Sequence, residues 1–316
     1  MMIQLEKVPV LLIDYLRKKM QDSELTYATP PMRFGQGQEN YTFRFELKEA
    51  PPNIPKNLVL RLFREINRGF ALKEGTMQNI LVDNHYPAAK VHFICTELEP
   101  LGGEFIVMDL IRGKPMFEAV PPEKLPKMLA ETHVALHAIA PDPLVEMLKP
   151  TSVPEFWYDG TVFIDMFIES QNIGWLKPAV RWIRQNEPEE RRRTLCHGDF
   201  HPLNILVDDG KVTGVLDWGA SRIGEPEWDV AGTIIICSYV GQIVVPEFDW
   251  LGIVDGYIES YKRLARLDFG KLEYYEAVQC IVLLEVIASG SAEIDFPGVK
   301  DGLIERFTEI TGRKLT

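Results

Sequence analysis

Between Leu195 and Trp218 the chain reads LCHGDFHPLNILVDDGKVTGVLDW, and three of its side chains could serve one reaction: Asp199, Asn204 and Asp217. An apolar run (Ile205, Leu206, Val207), a polar turn (Asp208, Asp209, Gly210) and a second short apolar run lie between Asn204 and Asp217. This pattern predicts a tight hairpin. It would carry Asn204 before its first strand and Asp217 after its second, returning both to the same end. Two oxygen ligands beside a third carboxylate suit a hard ion such as Mg²⁺, which is usually held by one or two protein groups plus substrate phosphates. The chemistry expected is phosphoryl transfer. A rival grouping takes His197, Asp199 and His201 as hydrolase metal ligands, because their i, i+2, i+4 spacing puts all three on one side of a strand. Such sites need further ligands, and the chain has only 6 histidines with none clustered nearby.

HGDFHPLNIL followed by VLDW resembles the catalytic and metal-binding segments of the aminoglycoside phosphotransferase and choline kinase superfamily, the small-molecule branch of the protein-kinase-like fold. The resemblance implies that Asp199 faces a substrate hydroxyl, while Asn204 and Asp217 hold Mg²⁺ on the phosphates of ATP or GTP. EPEWDVAG, Glu225 to Gly232, resembles the family's segment closing the catalytic region, in which an Asp ties the catalytic loop by hydrogen bonds. Asp229 matches that Asp, and the resemblance implies that His197 with Asp229 gives the catalytic loop structural support. The family often has Gly-Asp-Pro where this chain has Gly224-Glu225-Pro226. Two features point away from a protein kinase. Gly198 stands where kinases regulated by activation-loop phosphorylation usually carry Arg, and only 11 residues separate Asp217 from Asp229. A non-catalytic nucleotide-binding relative would have lost a metal or acceptor group, whereas all three are present.

The elements that must position these groups are legible in part. Val8 to Met20 has apolar residues at helical spacing, and Tyr41, Phe43, Phe45 and Leu47 alternate with polar residues as in a strand. Gly35 and Gly37 then sit in a turn leading into that strand at Asn40, either a plain hairpin turn or, as the resemblance implies, a glycine-rich flap over nucleotide phosphates. In LVLRLF, Leu58 to Phe63, Arg61 is flanked by apolar residues and needs a partner or an exit to solvent. The resemblance assigns Arg61 to the α and β phosphates and pairs it with Glu74, on a helix expected over Phe70 to Leu81; the alternative is a surface charge. Glu104 to Gly113 matches the inter-lobe hinge, where backbone groups of Asp109 and Ile111 would meet the adenine and Met108 would stand behind it. After Pro121 and Pro122 a helix keeps a 3.6 period through Leu125, Leu129, Leu136 and Ile139, with His133 and His137 read as packing or capping groups. Asp165 and Glu169, at i and i+4, are read as a solvated helix face. Helices are expected at Val230 to Val244, Ile253 to Ala265, Leu272 to Ser289 and from about Val299.

The chain has 316 residues, 46% hydrophobic and 25% charged, enough for two lobes with a sizeable core. The expected fold is α+β and bilobal: an N-terminal antiparallel-sheet lobe over 1–108 with a short opening helix and one main helix, a hinge over 109–113, and a mostly helical lobe over 114–316. Four scattered cysteines without a CxxC pair suggest neither zinc nor a disulfide framework, so a cytoplasmic setting is expected. No stretch is apolar enough over about 20 residues to span a membrane. The net charge of −12 disfavours nucleic acid as a partner. The expected partners are a nucleoside triphosphate and a small-molecule alcohol. From Ala220 onward 9 basic residues face 16 acidic ones. Glu285, inside IVLLEVIA, is costly to bury alone; it either faces a polar or cationic acceptor or pairs with Arg263 or Arg266.

Overall fold

The computed structural model describes residues 3–34, 40–148, 174–189, 192–289 and 298–315. Gly35, Gly37, Asp165 and Glu169 lie outside the described residues. The chain divides into two compact units, one of residues 1–113 with 211–219 and the other of residues 114–210 with 220–316.

The first unit is built on an antiparallel sheet in the order β1-β2-β3-β5-β4. Its strands are β1 (Tyr27–Arg33), β2 (Asn40–Leu47), β3 (Asn57–Phe63), β4 (Val91–Cys95) and β5 (Phe105–Asp109). Because side chains alternate across a strand, β3 splits in two. Leu58, Leu60 and Leu62 join Phe43, Phe45 and Leu47 beneath helix α1 (Val8–Met20), whose Val8, Leu12 and Leu16 are fully buried. Phe63 turns to the opposite face, where Ala71 of helix α2 (Phe70–Asp83) packs with Val91 and Ile106. Arg61 has the same parity as Phe63, opposite Ile106 of β5. Gly75 lets α2 approach closely, since a Cβ there would stand 2.7 Å from Ile94.

The second unit is mostly helical. Its helices include α3 (Met116–Ala119), α4 (Leu125–His137), α5 (Asp142–Leu148), α6 (Lys177–Gln185), α7 (Pro226–Ile235), α8 (Trp250–Leu264), α9 (Phe269–Ser289) and α10 (Val299–Thr311). α4 packs along α8, and α9 lies against both α7 and α10. The short strand β6 (Lys114–Pro115) pairs with β8 (Ile205–Asp208), and β7 (Thr194–Cys196) pairs with β10 (Arg222–Gly224). Asp209 and Gly210, with φ of 47° and 71°, form the turn after β8. There the chain passes back to the first unit in β9 (Lys211–Val215).

One expected helix differs. α7 begins at Pro226, ahead of Val230, and gives way to a π-helical stretch, Ile236–Gly241, before one more turn, Gln242–Val244. At its end Gly241 lies so close to the Trp250 ring that a Cβ would come within 2.8 Å. The indole N–H donates to Val245 O at 2.9 Å. Among the described residues, no helix is long and apolar enough to cross a membrane. All four cysteines are free and buried.

Candidate active site

Each unit carries its own cluster of functional side chains. In the first, β9 and the residues after it are tied down by hydrogen bonds from Val215 N to Pro87 O (2.8 Å) and from Thr213 Oγ1 to Arg112 O (2.6 Å). The buried Trp218 indole donates to Val215 O at 2.9 Å. Between these anchors Asp217 takes the left-handed conformation, φ 62°, which is uncommon for a non-glycine residue and concentrates at functional sites. Its Oδ1 accepts from Arg61 Nη2 at 2.8 Å, and Arg61 Nε lies 3.3 Å from Glu74 Oε2. Arg61 thus bridges two carboxylates, of which Glu74 is buried and Asp217 44% exposed. Ordinary burial of Arg61 would be costly, and the two anions offset that cost. Asn40 is buried and accepts through Oδ1 from Arg64 N (3.3 Å) and Asn67 Nδ2 (3.0 Å), fixing the end of β3.

Sequence reasoning missed Lys73. Nearly buried on α2, its ammonium donates to Gly219 O at 2.9 Å and lies 5.0 Å from the Phe70 ring centre. A Lys beside Glu in a buried helix turn was the available signal. At the end of β5, Met108 Sδ accepts from Gln78 Nε2 at 3.7 Å, and Asp109 Oδ1 meets His92 Nε2 at 2.6 Å. The Asp109 amide donates to Lys90 O at 3.0 Å and is therefore not available to a ligand. Ile111 packs against Gly214, where any Cβ would collide with it.

In the second unit the segment after β7 is held by Asp229, 1% exposed near the start of α7. Its Oδ2 accepts from His197 N at 2.6 Å and its Oδ1 from Gly198 N at 2.8 Å. Gly198 has φ 84°, and a Cβ there would strike the carbonyl of Ala220, so glycine is required. The Asp199 amide donates to His197 Nδ1 at 3.1 Å. Oδ2 of Asp199 accepts from Asn204 Nδ2 at 3.0 Å, and its Oδ1 lies 3.3 Å from His201 Nε2. Burial alone would raise the Asp199 pKa, but His201, His197 and the Asn204 hydrogen bond outweigh it and hold it down at about 2. Asn204 Nδ2 also reaches Asp199 O at 3.0 Å.

The histidines read as packing groups form a network around Asp229. His133 and His137, one turn apart on α4, place Nε2 at 3.0 and 3.2 Å from Asp229 Oδ2. Their Nδ1 atoms meet Tyr257 and Tyr261, one turn apart on α8, each at 2.7 Å. Burial, with His137 alongside, pushes His133 down to about 3, against the pull of Asp229. A neutral His133 ring that donates through Nε2 to Asp229 and accepts the Tyr257 hydroxyl at Nδ1 uses both of its nitrogens. His133, His137 and Asp229 have ligand atoms close enough for a metal ion. Their hydrogen bonds already engage each of those atoms.

Glu225, immediately before Pro226, anchors the same end of α7. It accepts from Arg192 N (3.1 Å), Lys271 Nζ (2.6 Å) and Tyr275 OH (2.6 Å). Glu285 on α9 is 2% exposed and pairs with neither Arg263 nor Arg266. Among the described residues its Oε1 has no hydrogen-bond partner, and burial pushes its pKa up to about 8.

The model of the phosphotransferase enzyme family matches residues 32–267, spanning both clusters. The chain belongs to that family. This phosphotransferase is 25% identical over 236 residues to mouse acyl-CoA dehydrogenase family member 10, covering 69% of its own length but 22% of the mouse protein. It thus spans less than a third of that relative. In fold it is similar to a thermostable mutant aminoglycoside phosphotransferase in ternary complex with AMP-PNP and hygromycin B, with TM-score 0.64, 16% identity and coverage of 97% and 98% of the two chains. It is also similar to an ethanolamine kinase of Plasmodium vivax, with TM-score 0.61, 15% identity and coverage of 94% and 85%. The antiparallel-sheet unit and the helical remainder of the phosphotransferase are the architecture of these kinases of small molecules.

Proposed function

We propose that this phosphotransferase moves the γ-phosphate of ATP or GTP to a hydroxyl of a small molecule, with Asp199 facing that hydroxyl. The observation that carries the reading is the state of Asp199, held ionised by His201, His197 and Asn204 on a loop pinned through Asp229. A carboxylate this acidic is a poor base. Phosphoryl transfer has a loose transition state in which the hydroxyl proton can leave late, so Asp199 mainly orients the nucleophile.

Mg²⁺ fits the groups present. Asn204 turns its amide nitrogen to Asp199, which leaves its carbonyl oxygen for a hard cation, and Asp217 offers a partly exposed carboxylate. Bound there with the nucleotide, the ion would neutralise phosphate charge. Arg61, oriented by Glu74, supplies a fixed cation for the α and β phosphates, and Gly35 and Gly37 are assigned to the flap above them. Met108, Asp109 and Ile111 are assigned to the adenine side, with the Asp109 amide excluded by its bond to Lys90 O. Asn40 supports this cluster by holding the end of β3.

The acceptor is proposed to be a polar or cationic alcohol whose donor groups meet Glu285, a buried carboxylate whose Oε1 has no hydrogen-bond partner among the described residues. The deciding experiment is nucleotide consumption against a panel of aminoglycosides, macrolides, choline, homoserine and sugars, with ATP and GTP supplied separately. Acceptor-dependent, Mg²⁺-dependent release of nucleoside diphosphate is expected for at least one pair. Nucleotide binding without turnover against any acceptor would favour a non-catalytic nucleotide-binding protein.

A further inference from the structure

A concavity of ≈ 450 Å³ lies where α6 meets the segment after α10, lined by Arg181, Trp182, Gln185, Arg313 and Lys314 among others. We propose that it binds a small phosphate-bearing anion. The inference goes beyond the phosphotransfer reading, because none of these residues belongs to the Arg61 cluster or the Asp199 loop.

Charge makes the first part of the case. The molecule has a net charge of −12, yet three cations converge on this concavity. Other basic residues of the same unit are committed to carboxylates: Lys271 to Glu225 at 2.6 Å, Arg306 to Glu276 at 2.6 Å, and Lys262 to Glu259 at 3.0 Å. Arg181, Arg313 and Lys314 have no ion pair or side-chain hydrogen bond among the described residues. Among the described residues, an incoming anion therefore has no paired carboxylate to displace.

The second part is that the site is built. Gly312, at φ 67°, reverses the chain after α10, and the Arg313 amide donates to Thr311 Oγ1 at 3.1 Å. Leu315 is buried, so Arg313 and Lys314 are stretched between two fixed points. Across from them Trp182 is held by Tyr274 and Phe307, with ring centres 6.1 and 6.0 Å away. It presents a firm apolar surface for the carbon portion of a ligand.

Chemistry narrows the ligand class. Three cations match the roughly two negative charges of a phosphate monoester better than the single charge of a carboxylate, and Arg forks suit phosphate oxygens. The volume is within the range of small-molecule sites. Nucleic acid is disfavoured, since it would meet a molecule of strongly negative charge. Both α6 and α10 end here, and helix C-termini draw cations weakly. That attraction would keep the cations in place without creating affinity for an anion, so binding separates the two roles.

The test is calorimetric titration of the full chain with inorganic pyrophosphate, without Mg²⁺, at low and high salt. Three proteins are compared: wild type, an Arg181→Glu/Arg313→Glu double variant, and Arg61→Met. Saturable binding by wild type is expected. It should weaken with salt, fall by about ten-fold or more in the double variant as charge-assisted bonds are lost, and persist in Arg61→Met. The nucleotide and acceptor KM values of the double variant should match wild type. If the double variant melts earlier than wild type, Arg313→Gln/Lys314→Gln on the exposed tail replaces it with the same expectation. Absence of binding, binding unchanged by charge reversal, or loss only in Arg61→Met would overturn the proposal, the last because the probe then reads the nucleotide cluster. Binding of an acidic peptide in place of pyrophosphate would also overturn it, in favour of a protein partner.

Discussion

Asp199 and Glu285 are both carboxylates in the helical unit, and their surroundings move them in opposite directions. Asp199, held near pKa 2, remains ionised across any ordinary assay range. Asp199→Asn should therefore cut kcat by about 10² or more while nucleotide affinity stays near wild type, because positioning and proton acceptance are lost but the proposed metal ligands remain. If nucleotide affinity fell with the rate, Asp199 would be a metal ligand or a structural group. Glu285 retains its proton to about pH 8 in the fold, whereas an exposed Glu loses it near pH 4.5. Between those values the native state binds more protons than the unfolded chain, so this residue lowers stability as pH rises. The penalty grows by up to about 1.4 kcal/mol per pH unit. Glu285→Gln should melt close to wild type at pH 5 and several degrees higher at pH 8.5, and an unchanged difference between the two pH values would show that the carboxylate is solvated. With an acceptor in hand, the same variant should raise the acceptor KM and leave the nucleotide KM alone.

At the level of elements, α4 and α8 act together through paired residues, since each presents two groups one turn apart: the α4 histidines meet the Asp229 carboxylate and the α8 tyrosines hold the histidines. Tyr257→Phe would leave the buried His133 Nδ1 without its donor. A cost of about 1–3 kcal/mol is expected, visible as a lower urea midpoint with an unchanged slope. Gly198→Ala should cost more, because positive φ and the Ala220 carbonyl both oppose a Cβ. A variant as stable and active as wild type would mean the loop can shift freely. Asp229 was legible from EPEWDVAG, but its partners were not: His133 and Tyr257 are 124 residues apart, and only helix packing joins them. β1 escaped notice for a local reason. Pro30 and Pro31 interrupt its alternation, which an edge strand tolerates, and its register shifts at that point. β2 was legible because its burial alternates with one covered face, and β3 because a short apolar run fits a strand covered on both faces. The π-helical stretch was not; it ends at Gly241 against the Trp250 ring, a contact that no local pattern encodes.

For the molecule as a whole, family membership was readable from the short run HGDFHPLNIL, while the basic concavity was not, since Arg181 and Arg313 meet only through the fold. Nucleotide binding should be visible in overall stability. A ligand at 100 times its Kd adds about 2.7 kcal/mol to the native state, so a thermal scan with Mg²⁺ and either ATP or GTP should raise Tm by a few degrees for the preferred donor. Asp217→Ala should remove the Mg²⁺-dependent part of that shift and abolish turnover. Activity within a few-fold of wild type would remove Asp217 from the metal site.

The first unit is made of two pieces of chain, 1–113 and 211–219. On a ribosome, Arg61 and Glu74 emerge and can pair well before Asp217 exists. At about 5–20 residues per second, the intervening stretch takes several seconds or more to synthesise. During that interval the sheet is without Val215 on Pro87 and without the Lys73 contact to Gly219, and Arg61 has one carboxylate where the finished protein gives it two. A nascent chain arrested before Lys211 would therefore carry most of the sheet but lack Asp217, and the second ion pair of Arg61 can form only after the Asp199 loop has left the peptidyl-transferase centre.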